Sequence, residues 1–309
     1  MSALHVVFGS GPLGTGVAAL LAERGERVRV VNRSGVSTVA AAEVQRGDVA
    51  NAAFAAAAAE GASTVYQCAQ PPYHRWRHEF AAFQQNIVDA AAAANARLVI
   101  ADNLYAYGDP QGQVITDASP RTAASVKGVL RRQMADAALG DPRLEVTLSR
   151  PSNYIGPGYD IFGTPVVSAA LRGRSMQFLG RLDQPHSFSY VPDSAAAMVA
   201  LASSEKSWGR GWITPVLPAV TQATLGAMIW AAAGASGAPR IGSMSRRVAG
   251  VLGVAVPDLR ALLELWYEWD HPYVVDASEF EHEFGLKATP IDEAVAATVE
   301  HYRRVAIEH

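Results

Sequence analysis

Through the first 150 residues, short apolar runs alternate with runs whose apolar positions recur at helical spacing. Leu4–Phe8 reads as a buried strand, and Thr15–Arg24 as a helix stopped by Gly25. Arg27–Val31 is the next strand, and Val39–Ala42 is a weaker one. Ala52–Ala59 is almost pure alanine, hence helix, closed by Gly61. Thr64–Cys68 and Arg97–Ala101 read as strands around a long helix over His78–Asn95. A helix over Thr122–Ala138, carrying Lys127, Arg131 and Arg132, precedes a strand at Leu144–Leu148. Such alternation implies right-handed β-α-β units and a parallel sheet covered on both faces, so the fold class is α/β with a doubly wound parallel sheet. After Arg150 the texture changes: glycine, proline and aromatic residues become dense, and Trp208, Trp212, Trp230, Trp266 and Trp269 all fall here.

The chain has 309 residues, half of them hydrophobic, with a net charge of -3. That excludes a mainly disordered state and gives no basic footprint for nucleic acid. A single cysteine, Cys68, cannot form an internal disulfide. No basic segment precedes the first apolar run, and the uncharged stretch Gly211–Pro239 is broken by three prolines. The expectation is a cytoplasmic protein without a membrane span. The cluster Tyr73-His74-Arg75-Trp76-Arg77-His78 lacks a definable third ligand, so no metal is expected. Glu264–His271, rich in aromatics and acids, reads as an aromatic lid or core helix.

Gly9-Ser10-Gly11-Pro12-Leu13-Gly14 is G-x-G-x-x-G, placed directly after a strand and opening a helix. Gly9 permits the tight turn, Gly11 lets backbone approach a pyrophosphate, and Gly14 lets helix and strand pack. The helix start adds amide donors and partial positive charge. At the end of the second strand, where an acid would accept from ribose hydroxyls, stands Asn32-Arg33-Ser34. Arg33 can pair with a 2′-phosphate, so the cofactor expected is NADP, with NAD less favoured. The domain reading is therefore a dinucleotide-binding Rossmann part over 1–165. Residues 166–309 form mainly a smaller substrate-binding cap, with some segments returning to the first part.

Further segments extend this pattern. They are Gly47-Asp48-Val49, Cys68-Ala69-Gln70, Asn86, Tyr105-Ala106-Tyr107-Gly108, Arg150-Pro151-Ser152-Asn153-Tyr154-Ile155-Gly156-Pro157-Gly158 and Ser189-Tyr190-Val191-Pro192-Asp193. In order and spacing the chain resembles the extended and atypical short-chain dehydrogenase/reductase family of the epimerase/dehydratase type. The resemblance covers most of the chain. It implies that Asp48 and Val49 contact the adenine, that Ala69, Gln70, Pro151 and Asn153 line the cofactor, and that Lys127 bonds the nicotinamide ribose. It also implies a homodimer through the helices after strands four and five. Phe8 stands at the family's first glycine. The family's Y-x-x-x-K uses a tyrosine and lysine on one helix face to move a proton; here Lys127 is present but Ala123 holds the tyrosine position. Asn103 stands where the family has Ser or Thr.

Asn103 can still donate to a substrate oxygen. Tyr105, two residues on and on the same face if the strand reaches that far, is the preferred replacement proton donor. Tyr73, Asn153, Tyr154, His186 and Tyr190 are candidates for substrate contact, and His186 is a second candidate acid, although a satisfied loop histidine is the plainer reading. The leading expectation is an NADP-dependent oxidoreductase acting on a small carbonyl or hydroxyl compound. Two alternatives stand beside it: a dinucleotide-binding sensor that has lost turnover, and a redox-neutral epimerase or dehydratase with tightly held cofactor.

Overall fold

The structure, a computed structural model, describes residues 2–159 and 163–308. Contacts divide the chain into two compact units. The first comprises residues 1–106, 121–150 and 194–214, and the second 107–120, 151–193 and 215–309. Residues 151–165, assigned from sequence to the dinucleotide-binding part, lie in the second unit.

The apolar runs of the first unit become strands Leu4–Phe8 (β1), Arg27–Asn32 (β2), Glu43–Arg46 (β3), Thr64–Gln67 (β4), Arg97–Ala101 (β5) and Val146–Arg150 (β6). With Gly211–Ile213 they form one seven-stranded parallel sheet, ordered 211–213, β6, β5, β4, β1, β2, β3. Alternate side chains feed opposite faces, as strand geometry requires. Val6, Phe8, Val65, Leu98 and Ile100 enter a core with Ala55, Ile87, Ala91 and Ala135. Val7, Tyr66 and Val99 meet Val17, Leu21, Ala195 and Met198 on the other face. The helices are Pro12–Glu23 (α1), Ala52–Ala59 (α2), Trp76–Ala93 (α3) and Val126–Leu139 (α4).

Several element bounds shift by a few residues from expectation, and two of the differences change the picture. The third strand lies at Glu43–Arg46, not Val39–Ala42, and its burial is slight because it is the sheet edge. Helix α4 begins at Val126 rather than Thr122, because Ser125 caps it by accepting from the Gly128 amide at 3.1 Å. Ala123 therefore lies before the helix, its amide tied to the Ala106 carbonyl at 3.1 Å, and the one-face spacing of Ala123 and Lys127 does not apply.

The second unit is built from short pairs: Asn153–Ile155 parallel with Phe188–Tyr190, Met176–Leu179 parallel with Ile241–Met244, and Pro185–His186 antiparallel with Val220–Thr221. Its core gathers Phe178, Phe188, Ile229, Trp230, Trp269 and Val299, the last on the long helix Ile291–Glu308. Among the described residues no helix is long and apolar enough to cross a membrane.

A charged triad closes the end of β5. Asp102 accepts from Arg131 of α4 at 3.0 and 2.5 Å and from Arg150 of β6 at 3.1 Å. All three are buried, Arg131 to 1% exposure, and its guanidinium lies 4.8 Å from the centre of the Phe80 ring. Removing one member of a buried ion pair strands the others in a poor solvent. Asp102→Ala is therefore expected to destabilise the chain by about 3–5 kcal/mol in urea unfolding, since two buried arginines lose their carboxylate.

Candidate active site

The turn between β1 and α1 is dictated by contact with β4. Gly9 has φ +110°, and a Cβ there would lie 2.8 Å from the Ala69 nitrogen. At Gly14 a Cβ would run into the Gly9 carbonyl. Gly11 is the opposite case: a Cβ there meets nothing within 4 Å. No side chain caps α1, and Pro12 stands in its first turn, so the amides that open the helix lack an intrahelical or side-chain acceptor. Ser10 contributes its carbonyl to the Thr15 hydroxyl at 3.1 Å, and Leu13 is half-buried. Exposed backbone at Gly11 beside uncapped amides fits a pyrophosphate.

At the end of β2 the Asn32 side chain is consumed by its own turn. Its Oδ1 accepts from the Gly35 amide at 2.6 Å and the Ser34 hydroxyl at 2.9 Å, while its Nδ2 donates to the Val36 carbonyl at 2.8 Å. Of the triplet expected to meet the ribose, only the exposed Arg33 keeps its donors available. Asp48 Oδ1 accepts from the Ala50 amide at 2.9 Å, and Asn86 Nδ2 donates to the Val49 and Ala50 carbonyls at 2.9 and 3.1 Å. Asn86 thus holds the Asp48–Ala50 turn in shape. Ala69 is half-buried and Gln70 exposed, just past the end of β4.

Strand β5 ends at Ala101, so the alternation expected to align Asn103 with Tyr105 is absent; Tyr105–Tyr107 forms a 3-10 turn instead. Asn103 Oδ1 accepts from the Tyr105 amide at 3.0 Å, which leaves its Nδ2 as the donor end. The Tyr73 hydroxyl donates to the Tyr105 hydroxyl at 3.3 Å. Lys127, buried on α4, places its ammonium 4.6 Å from the centre of the Tyr73 ring. The Trp76 ring packs 4.8 Å from Tyr73 and 6.1 Å from Tyr105. Tyr73, which the sequence placed only among substrate contacts, thus lies against Tyr105 and Lys127. Tyr107 is buried in its core.

In the second unit, buried serines set the geometry. The Ser152 hydroxyl donates to the Ser187 carbonyl at 2.7 Å, and Ser189 accepts from the Ser152 amide at 3.0 Å. These bonds fix the segment Pro151–Ile155 and present Asn153. Its Nδ2 lies 3.0 Å from Glu268 Oε2 and 3.2 Å from His186 Nε2. His186 Nδ1 faces the Glu268 carbonyl at 3.0 Å, so Nδ1 carries the proton and Nε2 accepts. Both Asn153 amide hydrogens are thereby committed, and the reversed amide would set oxygen against an imidazole lone pair. What Asn153 offers a ligand is its Oδ1, an acceptor.

Burial sets the charges here. His186 is 2% exposed and stacked 4.7 Å from Trp269, and desolvation pushes its pKa down to about 3. It is a neutral positioning group rather than an acid, and at this depth not a substrate contact. Glu268, 1% exposed, is pushed up to about 8 by the same cause, with the Asn153 bond opposing. Its Oε1 has no hydrogen-bond partner. The sequence had left Glu268 in an aromatic core helix. Tyr154 is half-buried and its ring lies 5.4 Å from Tyr159, whereas Tyr190 is 7% exposed in the core. Among the described residues no group of three metal-ligating side chains exists.

The sheet order and the glycine turn define a dinucleotide-binding α/β protein of the extended short-chain dehydrogenase/reductase type. The family model for the NAD dependent epimerase/dehydratase family matches residues 6–211, and the chain belongs to that family. No curated protein sequence matches it. Among solved structures it is similar to MoeE5 in complex with UDP-glucuronic acid and NAD, at 22% identity and TM-score 0.78, over 97% of this chain and 99% of that one. It is also similar to UDP-glucose 4-epimerase from Thermotoga maritima with UDP-glucose, at 16% identity and TM-score 0.77, over 98% and 99%. A third is UDP-glucuronic acid 4-epimerase from Bacillus cereus in complex with NAD, at 12% identity and TM-score 0.76, over 98% and 99%. At these identities the likeness is one of fold.

The two buried groups give opposite pH dependences. The folded value of Glu268, about 8, stands above its ordinary 4.5, so its contribution is complete below pH 4.5 and is lost as pH rises to about 8. That of His186, about 3, stands below 6.5, so its contribution is lost as pH falls from 6.5 toward 3. Their sum predicts a stability plateau between 4.5 and 6.5 with a decline on each side. Glu268→Gln keeps the acceptor for Asn153 and should flatten the alkaline limb, by on the order of 2 kcal/mol at pH 8, in urea unfolding across a pH series.

Proposed function

We propose that the chain is an NADP-dependent oxidoreductase of the epimerase/dehydratase family, acting on a small carbonyl or hydroxyl compound. The observation that carries this reading is the Gly9–Gly14 turn: crowded at Gly9 and Gly14, open at Gly11, and ending in uncapped helix amides. Such a turn suits a pyrophosphate held by backbone. Preference for NADP rests on Arg33 at the end of β2, in a turn from Asn32 to Ala42 that contains no acid to accept from a ribose diol.

A bound nicotinamide supplies or takes up hydride. For carbonyl reduction, the substrate oxygen needs one proton and a donor to hold its charge. Asn103, whose Oδ1 is taken by the Tyr105 amide, has Nδ2 to serve as that donor. The Tyr73–Tyr105 hydroxyl pair supplies the proton through Tyr105, and Lys127 offsets the negative charge left on the pair. Ala123, at the family's tyrosine position, supports one second reading, a dinucleotide-binding sensor without turnover.

Following NADPH absorbance against ketones, aldehydes and nucleotide sugars tests the assignment. Consumption supports the enzyme, and binding with no consumption across the panel moves the protein to the sensor. A paired glycine comparison tests the turn itself. Gly11→Val should leave the Tm unchanged, because its side chain meets no protein atom, yet weaken NADPH binding at least about tenfold. Gly14→Val should lower the Tm, because its side chain meets the Gly9 carbonyl.

A further inference from the structure

Arg46 ends β3 and was singled out by no motif. In the parallel ladder it stands opposite Asn32, one residue before Arg33. Its Nε donates to the Arg33 carbonyl at 3.2 Å. Its aliphatic stem packs under the β2 turn, where a Cβ on Gly35 would lie 3.1–3.4 Å from Arg46 Cβ, Cγ and Cδ. Gly35 itself has φ +72°, which an L side chain rarely adopts, so the turn closes over that stem only because position 35 is glycine.

The result is an exposed Arg46 bonded to the backbone of the exposed Arg33. The acids nearby are committed elsewhere: Glu43 pairs with Arg29 at 3.0 Å, and Asp48 closes its own turn with the Ala50 amide. Neither Arg33 nor Arg46 has an ion-pair partner among the described residues. Asn32 and Ser34 spend their polar atoms on each other and on the turn backbone. With its Nε engaged, Arg46 keeps its two terminal nitrogens as further donors. Those nitrogens and the Arg33 fork are a donor set suited to a phosphate dianion rather than to a neutral diol.

We infer that Arg46, together with Arg33, forms a two-armed subsite for the adenosine 2′-phosphate of NADP, and that Arg46 determines cofactor specificity. The inference rests on the cofactor reading proposed above and adds to it the second arm. Gly35 and Asn32 are positioning residues that shape the turn carrying Arg33 over the Arg46 stem.

Isothermal titration of the full chain with NADPH, NADH and adenosine 2′,5′-bisphosphate tests it. The expected result is NADPH binding at least about tenfold tighter than NADH, with the bisphosphate competing for the same site. Arg46→Ala should weaken NADPH and the bisphosphate by about tenfold while moving NADH less than about twofold, and Arg46→Lys should recover part of the loss. Arg46 is exposed, so the variant is expected to fold, and an unchanged Tm checks that. Arg46→Ala with equal effects on both dinucleotides, or with none, overturns the inference. NADH bound as tightly as NADPH overturns it too, while leaving the dinucleotide turn in place. Failure of every nucleotide to bind instead overturns the cofactor reading itself.

Discussion

The buried carboxylate of Asp102 is the constraint on which the first unit's chemistry depends. It lies one residue beyond β5 and receives guanidinium groups from α4 and from the end of β6. Three elements distant in sequence are thereby held at one point. The same α4 carries Lys127 one turn before Arg131, and the chain leaving Asp102 runs directly through Asn103 and Tyr105. A burial that is costly for the charges is tolerable because the partners sit at hydrogen-bond distance and the Arg131 fork also lies against Phe80. The lysine and Tyr105 are thus carried by elements that this anchor holds, with Ala123 outside the helix.

In the second unit, desolvation rather than pairing controls protonation. His186 is held neutral by burial among Phe188, Trp269 and Tyr273, and a neutral imidazole with Nδ1 occupied has one remaining role, as an acceptor. Glu268 supplies a second acceptor at 3.0 Å. Between them they take both hydrogens of Asn153 and leave its oxygen as the remaining polar atom. His186 and Glu268, unconnected in the sequence reading, thus act together as a clamp on an amide.

Much of this molecule was legible before folding was considered. The strands at Leu4–Phe8 and Arg97–Ala101 and the helix at Ala52–Ala59 fall where apolar period and alanine content place them. The glycine turn was readable because a strand, a G-x-G-x-x-G and a helix stand in immediate succession. The errors have local causes. Ser125 captures the start of α4 with a cap bond and leaves Ala123 outside the helix. The edge strand at Glu43–Arg46 is too polar to announce itself, because only a covered strand must be apolar. Arg46 was overlooked for that reason, and its closeness to Arg33 depends on the register of β2 and β3.

By itself, then, the sequence determined the alternation of strand and helix, the doubly wound sheet, the phosphate turn and the basic residue after the second strand. Those features are written in neighbouring residues, whose periodicity and conformational freedom are local properties. Tertiary structure alone decided which tyrosine meets Lys127, which arginine joins Arg33, which way the Asn153 amide points, and that His186 is neutral while Glu268 holds its proton. Each of those outcomes depends on groups far apart in the chain and on how completely water is removed between them, and no local pattern encodes either quantity.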